Sequence, residues 1–171
     1  MKTLFTIILF ISLSLHISGQ SLRHVKGNST IDFGYNLTKF SPGYTLGYGY
    51  YLNNNIILKA FLNHEKGLIG ATKYNANLLF LGANYSFYNF KSLVYFNVTG
   101  GAVIGFENAN STEYIVDETN FLYGGFFGVE NEIFIFNKLA ATLFFDEVLT
   151  QKSSFGNARY RVGLGLKLFI K

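Results

Sequence analysis

Residues 157–171 set apolar and polar side chains in alternation, with Tyr160, Val162, Leu164, Leu166, Leu168 and Ile170 on one parity and Arg159, Arg161, Gly163, Gly165, Lys167 and Phe169 on the other. A helix would wind Arg161, Leu164 and Leu168 onto one face and mix charge with hydrocarbon, whereas a strand separates the two sets. The segment is therefore read as a strand. About eleven residues at a rise of about 3.3 Å, tilted by about 40°, reach roughly 28 Å, close to the apolar band of an outer-membrane barrel.

The same period recurs upstream. Ile31, Phe33, Tyr35 and Leu37 oppose Thr30, Asp32, Gly34 and Asn36 in a first strand; Tyr44, Leu46, Tyr48, Tyr50 and Leu52 oppose Gly47 and Gly49 in a second. A third carries Ile56, Leu58, Ala60 and Leu62 against Lys59 and Asn63, and a polar connection is expected over His64 to Lys73. The fourth runs to about Phe87, and apolar residues on both parities from Leu78 to Leu81 blur its register; Leu79, Leu81, Ala83 and Tyr85 are placed outward because that puts Asn84 and Ser86 inside. The fifth sets Val94, Phe96, Val98, Ala102, Ile104 and Phe106 against Asn97, Thr99, Gly101 and Gly105, and Glu107 to Thr119 reads as a long polar loop. In the sixth, Phe121 to Ile135, Tyr123, Phe127, Val129 and Ile133 face out and Gly124, Gly128, Glu130 and Glu132 in, with Asn131 a polar residue on the apolar face. The seventh offers Leu139, Ala141, Leu143 and Phe145 outward with Thr142 and Asp146 inward, and a loop over Thr150 to Gly156 leads to the last strand.

These segments make an all-β fold, an eight-stranded antiparallel up-and-down transmembrane β-barrel. Tight turns at Asn53 to Asn55, Asn89 to Ser92 and Phe136 to Lys138 alternate with longer polar connections, the loop asymmetry of outer-membrane barrels. Edge N–H and C=O groups cannot be left in lipid, so strand one must close on strand eight. A soluble sandwich or lipocalin-like barrel would hide its apolar face inside, and here that face is too extensive for a small core.

Composition sharpens this picture. Charged residues are 14% of the chain while the mean hydropathy is +0.23, and beyond the first twenty residues no apolar run approaches a spanning helix. Residues 1–20 read as a cleaved signal peptide: Lys2, an apolar run from Leu4 to Leu15, then Ser18 and Gly19. An uncleaved membrane anchor is the alternative. Residues 21–171 form the barrel domain, exported to the outer membrane, so the short turns face the periplasm and the longer loops the exterior. The net charge of +4 is small and its lysines and arginines are scattered, so direct nucleic-acid contact is not expected. The absence of cysteine excludes a lipoprotein anchor and thiolate metal sites.

Candidate chemistry is sparse. His16, His24 and His64 have no ligand spacing, so no metal site is expected, and neither a cofactor nor a small-molecule substrate is implied. His64 and Glu65 could in principle meet Ser153 or Ser154 at the rim as a hydrolase, although nothing in the sequence sets a base beside a nucleophile. Gly163 and Gly165, and Gly124 with Gly125, open no helix, so they make room in a narrow lumen instead of cradling phosphate. The inward set holds four acids, Asp32, Glu130, Glu132 and Asp146, and four bases, Lys59, Arg159, Arg161 and Lys167. In so narrow a lumen these should pair. Strand direction predicts an outer cluster of Asp146 with Arg159 or Arg161, and an inner one joining Glu130 or Glu132 to Lys167 or Lys59. These charges are read as structural filling.

Three stretches, Phe121-Leu122-Tyr123-Gly124-Gly125, Val129-Glu130-Asn131-Glu132 and Val162 to Ile170, resemble the TraO family of conjugal transfer proteins carried on conjugative transposons. A weaker likeness extends back to Val25-Lys26-Gly27, where the chain lacks the Pro and Cys usual in the family. The resemblance implies a non-enzymatic outer-membrane component of a mating apparatus, with membrane lipid and other conjugation proteins as its partners. A free-standing surface barrel acting in binding or adhesion is the alternative.

Overall fold

The computed structural model describes residues 23–111 and 116–170. The segment read as a signal peptide lies outside the described residues. Eight strands follow one another around a closed barrel: β1 (Ser29–Thr38), β2 (Pro42–Tyr51), β3 (Ile56–Ile69), β4 (Thr72–Phe90), β5 (Val94–Ser111), β6 (Val116–Phe136), β7 (Leu139–Gln151) and β8 (Ala158–Ile170). Every neighbouring pair is antiparallel, and β1 closes on β8 from Ser29↔Ile170 to Thr38↔Arg161. Closure removes the strand edges around the ring, while the extensions of β3 beyond Glu65 and of β6 before Tyr123 are paired on one side alone. The end carrying Ser29 and Ile170 is termed inner, the opposite end outer.

The alternation read from the sequence sorts side chains between lumen and exterior. Phe33, Tyr48, Leu62, Phe127, Leu143 and Leu164 are exposed, Leu164 at 65%, while Asn36, Asn63, Glu132 and Lys167 are buried. A soluble protein buries the first set and wets the second, so this surface is suited to hydrocarbon. In β4, Leu78, Phe80, Asn84 and Ser86 point inward and Leu81 and Tyr85 outward. Asn131 faces outward in β6, half-buried between Phe96 and Leu143 of the adjoining strands.

The connections depart from the sequence reading. His64 to Lys73 is no loop: β3 and β4 continue pairing to Ile69↔Thr72, and Gly70 turns the chain with φ of 62°. The expected loop Glu107 to Thr119 is likewise largely strand, paired from Glu107↔Asn120 to Ser111↔Val116. β7 also runs on to Gln151, past the expected loop start at Thr150. The physical reason is that hydropathy marks where a strand leaves lipid, whereas the hydrogen-bonded ladder ends only where the backbone turns. At a tilt of about 40°, the 21 residues of β6 reach roughly 50 Å, about twice the apolar band. The wall of β3 to β6 therefore projects well beyond it.

The inner turns are tight. Asn53 Oδ1 accepts hydrogen bonds from the N–H of Asn55 and of Ile56, both at 2.8 Å, which fixes the reversal between β2 and β3. Between β4 and β5 the turn centres on Lys91 and Ser92, with φ of 50° and 54°, closed by Leu93 N–H donating to the Phe90 carbonyl at 2.9 Å. Two successive positive φ values define the hairpin turn whose twist matches the strands.

Candidate functional site

The lumen is filled by aromatic layers with charge between them. In the inner half Lys167 on β8, at 0% exposure, lies with Nζ 2.8 Å from Glu130 Oε1 and also bonds Glu132 Oε1. Lys59 on β3 donates to the other oxygen of Glu130 at 2.7 Å and stands 3.3 Å from Asp32 on β1. Alternation puts all five side chains inside; antiparallel register puts Asp32 directly beside Lys167. Each ammonium spans two carboxylates, which compensates much of the desolvation that burying them costs.

That web holds three acids against two lysines, and a further partner comes from the N-terminal segment. His24 is buried, with Nε2 3.1 Å from Glu132 Oε2 and Nδ1 3.1 Å from Ser86 Oγ. Asn97 Nδ2 donates to Glu132 Oε1 at 3.0 Å, so its Oδ1 is the atom that accepts the Ser86 hydroxyl proton. Ser86 has no second proton to give, so its oxygen is the acceptor toward His24 Nδ1. His24 is stacked on Tyr95 at 3.8 Å between ring centroids. Arg23 lies over the Phe134 ring at 4.6 Å and bonds the Ser92 carbonyl, while Gly27 N–H donates to the Tyr51 carbonyl at 2.9 Å. Residues 23–28 thus fold into the inner mouth as a cork.

Midway, Asp146 pairs with Arg161, whose Nε is 3.1 Å from Oδ2. Phe80, Phe61 and Phe144 surround the guanidinium at 4.5, 4.6 and 5.0 Å from their centroids. Three ring faces provide attraction that a hydrocarbon wall alone would not. Gly163 makes this possible, since a Cβ there would lie 2.4 Å from Phe144 Cζ. A cavity of about 40 Å³, bordered by Asp32, Lys59, Glu130, Asp146 and Arg161, separates this pair from the inner web, room for no more than a few waters.

Arg159 belongs to neither cluster. Its Nη2 donates to Glu107 Oε2 at 3.0 Å and its Nη1 lies 3.6 Å from Glu65 Oε2. Tyr74 donates to Glu65 at 3.0 Å, Ser153 to Glu107 at 3.0 Å, and Phe40 and Phe155 close over the group. Glu65 and Glu107 had been assigned to polar connections, so sequence reasoning missed both, as it missed His24. Their parity carried the signal: each continues the inward set of its strand, Glu65 after Asn63 and Glu107 after Gly105. The rim hydrolase does not assemble: Glu65 faces the lumen, Ser153 holds Glu107, and His64 faces outward, its Nδ1 2.8 Å from Asn77 Oδ1. Among the described residues no group of three His, Cys, Asp or Glu side chains is placed to hold a metal ion.

No family of known proteins matches the chain, and no curated sequence does either. Solved structures do. The N-terminal β-barrel domain of Pseudomonas aeruginosa OprF matches with a TM-score of 0.71 at 14% identity, covering 85% of this chain and 98% of that one. Ail, the attachment invasion locus protein of Yersinia pestis, matches at 0.61 and 15%, covering 85% and 100%. Neisserial surface protein A matches at 0.60 and 12%, covering 82% and 95%. At such identities the likeness establishes the fold, that of small eight-stranded outer-membrane barrels.

Proposed function

We propose that this chain is a non-enzymatic outer-membrane barrel serving a conjugative DNA-transfer apparatus, anchored in lipid and in contact with other proteins of that machinery. The observation that carries the reading is the likeness to the TraO family in β6 and β8. Those stretches contain Glu130, Glu132 and Lys167, the centre of the inner ion web, so the likeness falls on residues that hold the barrel together. A filled lumen suits a structural or docking component better than a pore. Deleting the gene should lower DNA transfer frequency by orders of magnitude and leave growth unchanged, with recovery on complementation; undiminished transfer would refute the assignment. The membrane reading is checked separately, by resistance to carbonate extraction and a heat-dependent shift in gel mobility.

The projecting wall of β3 to β6 favours a second reading, a free-standing surface barrel that binds an external ligand. It would be supported by normal transfer in the deletion strain together with loss of surface binding.

A further inference from the structure

The exterior of the outer half carries a feature that neither the barrel nor its lumen requires. Tyr44, His64, Asn77, Phe106 and Phe121 form one continuous outward row across β2 to β6. Below this row the surface is apolar and holds a groove of about 540 Å³ against Phe33, Tyr44, Leu46 and Leu62, with His64 and Asn77 at its upper edge. Above it lies a second groove of about 420 Å³, lined by Lys66, Leu68, Lys73, Asn75, Asn108 and Asn110. Lys66 stands opposite Asn75 and Leu68 opposite Lys73, so the two ammonium groups are diagonal neighbours on one face. Both lysines are exposed, and Glu65 and Glu107, the carboxylates nearest to them along β3 and β5, point into the lumen and are held by Arg159. Asn75 adds a buried side-chain oxygen with no hydrogen-bond donor.

We propose that this track binds a phosphorylated glycolipid of the outer leaflet, its phosphate at Lys66 and Lys73, its sugar hydroxyls on Asn75 and the neighbouring asparagines, and an acyl chain in the groove beneath His64. Position and charge argue for a lipid. The lysines stand beyond the row that ends the apolar surface, and the Lys66–Asn75 pair lining the upper groove is the next outward pair after His64–Asn77 at the edge of the lower one. A soluble polyanion would satisfy the lysines and leave the apolar groove empty. A glycerophospholipid would satisfy lysines and groove and offer far fewer hydroxyls than a sugar to the row of Asn75, Asn108 and Asn110.

This site rests on the membrane reading above, and the two fail differently. The mature chain, folded in detergent micelles, is titrated by native mass spectrometry with bisphosphorylated lipid A, dephosphorylated lipid A and phosphatidylglycerol. Bisphosphorylated lipid A should bind roughly tenfold or more tightly than either other lipid, and the double variant Lys66→Ala/Lys73→Ala should lose that margin. Lys66→Arg/Lys73→Arg should retain it, and Lys91→Ala/Lys138→Ala, at the inner end, should leave it intact. A heat-dependent mobility shift in every variant establishes that each is folded. Equal binding of phosphatidylglycerol, or an undiminished affinity in the Lys66→Ala/Lys73→Ala protein, would overturn the site while leaving the barrel in its membrane. Recovery of the chain in the soluble fraction without detergent would overturn the membrane reading itself.

Discussion

The two halves of the lumen solve the same problem differently. In the outer half one cation, Arg159, serves two carboxylates, Glu65 and Glu107, and the strands with their adjoining turn supply the rest of its shell, including Tyr74 and Ser153. In the inner half Lys59 and Lys167 bridge three acids, and His24 enters from outside the strands to meet Glu132. The outer half is therefore assembled from the strands and the β7–β8 turn. The inner half also uses the N-terminal segment, so its stability is coupled to the packing of residues 23–28.

The strongest way to break this contrast is Lys167→Met. It leaves Glu130 and Glu132 buried without their shared cation and should cost about 3–5 kcal/mol. Urea unfolding in lipid vesicles, followed by the heat-dependent mobility shift, measures it. Leu164→Arg probes the opposite face and should cost about 2–4 kcal/mol if the site lies near the bilayer midplane, compared with about 0–1 for a position near the interface. Equal tolerance at Leu164 and at Asn110 would reverse the outward assignment. Asp146→Ala should cost less, about 1–3 kcal/mol, because three aromatic rings still hold Arg161 when its carboxylate is gone. In double-mutant cycles Asp146 should couple to Arg161 by about 0.5–3 kcal/mol and to Arg159 by almost nothing. The smallest effect is expected at His24. His24→Ala should remove about 1–2 kcal/mol and make the segment before Ser29 sensitive to protease from the inner side, with the outer half unaltered. Planar-bilayer recordings bear on both halves together: with the lumen filled at both ends, the wild type should show little steady conductance.

Where β-strands lie was legible because alternation has a period of two wherever one side meets lipid. Residues 157–171 show this in full, and even the ambiguous run Leu78 to Leu81 was resolved by asking which parity left Asn84 and Ser86 inside. The reading failed where that asymmetry ends. Beyond Asn63 and Phe106 both faces of the wall carry polar side chains, so His64 to Lys73 and Glu107 to Thr119 look like loops by hydropathy although their backbones stay paired.

The candidate site divides in the same way. Parity alone determined which charges enter the lumen, since each strand carries its own record of inside and outside. Which charges meet depends on register around a closed ring, and that is decided only when distant residues are brought level. Arg159 reaches Glu107 across 52 positions of sequence, and His24 reaches Glu132 across 108. No local pattern specifies such pairs. Asp146 takes Arg161 and not Arg159 because β7 and β8 align those two residues directly, while the longer outer wall gives Arg159 two carboxylates of its own.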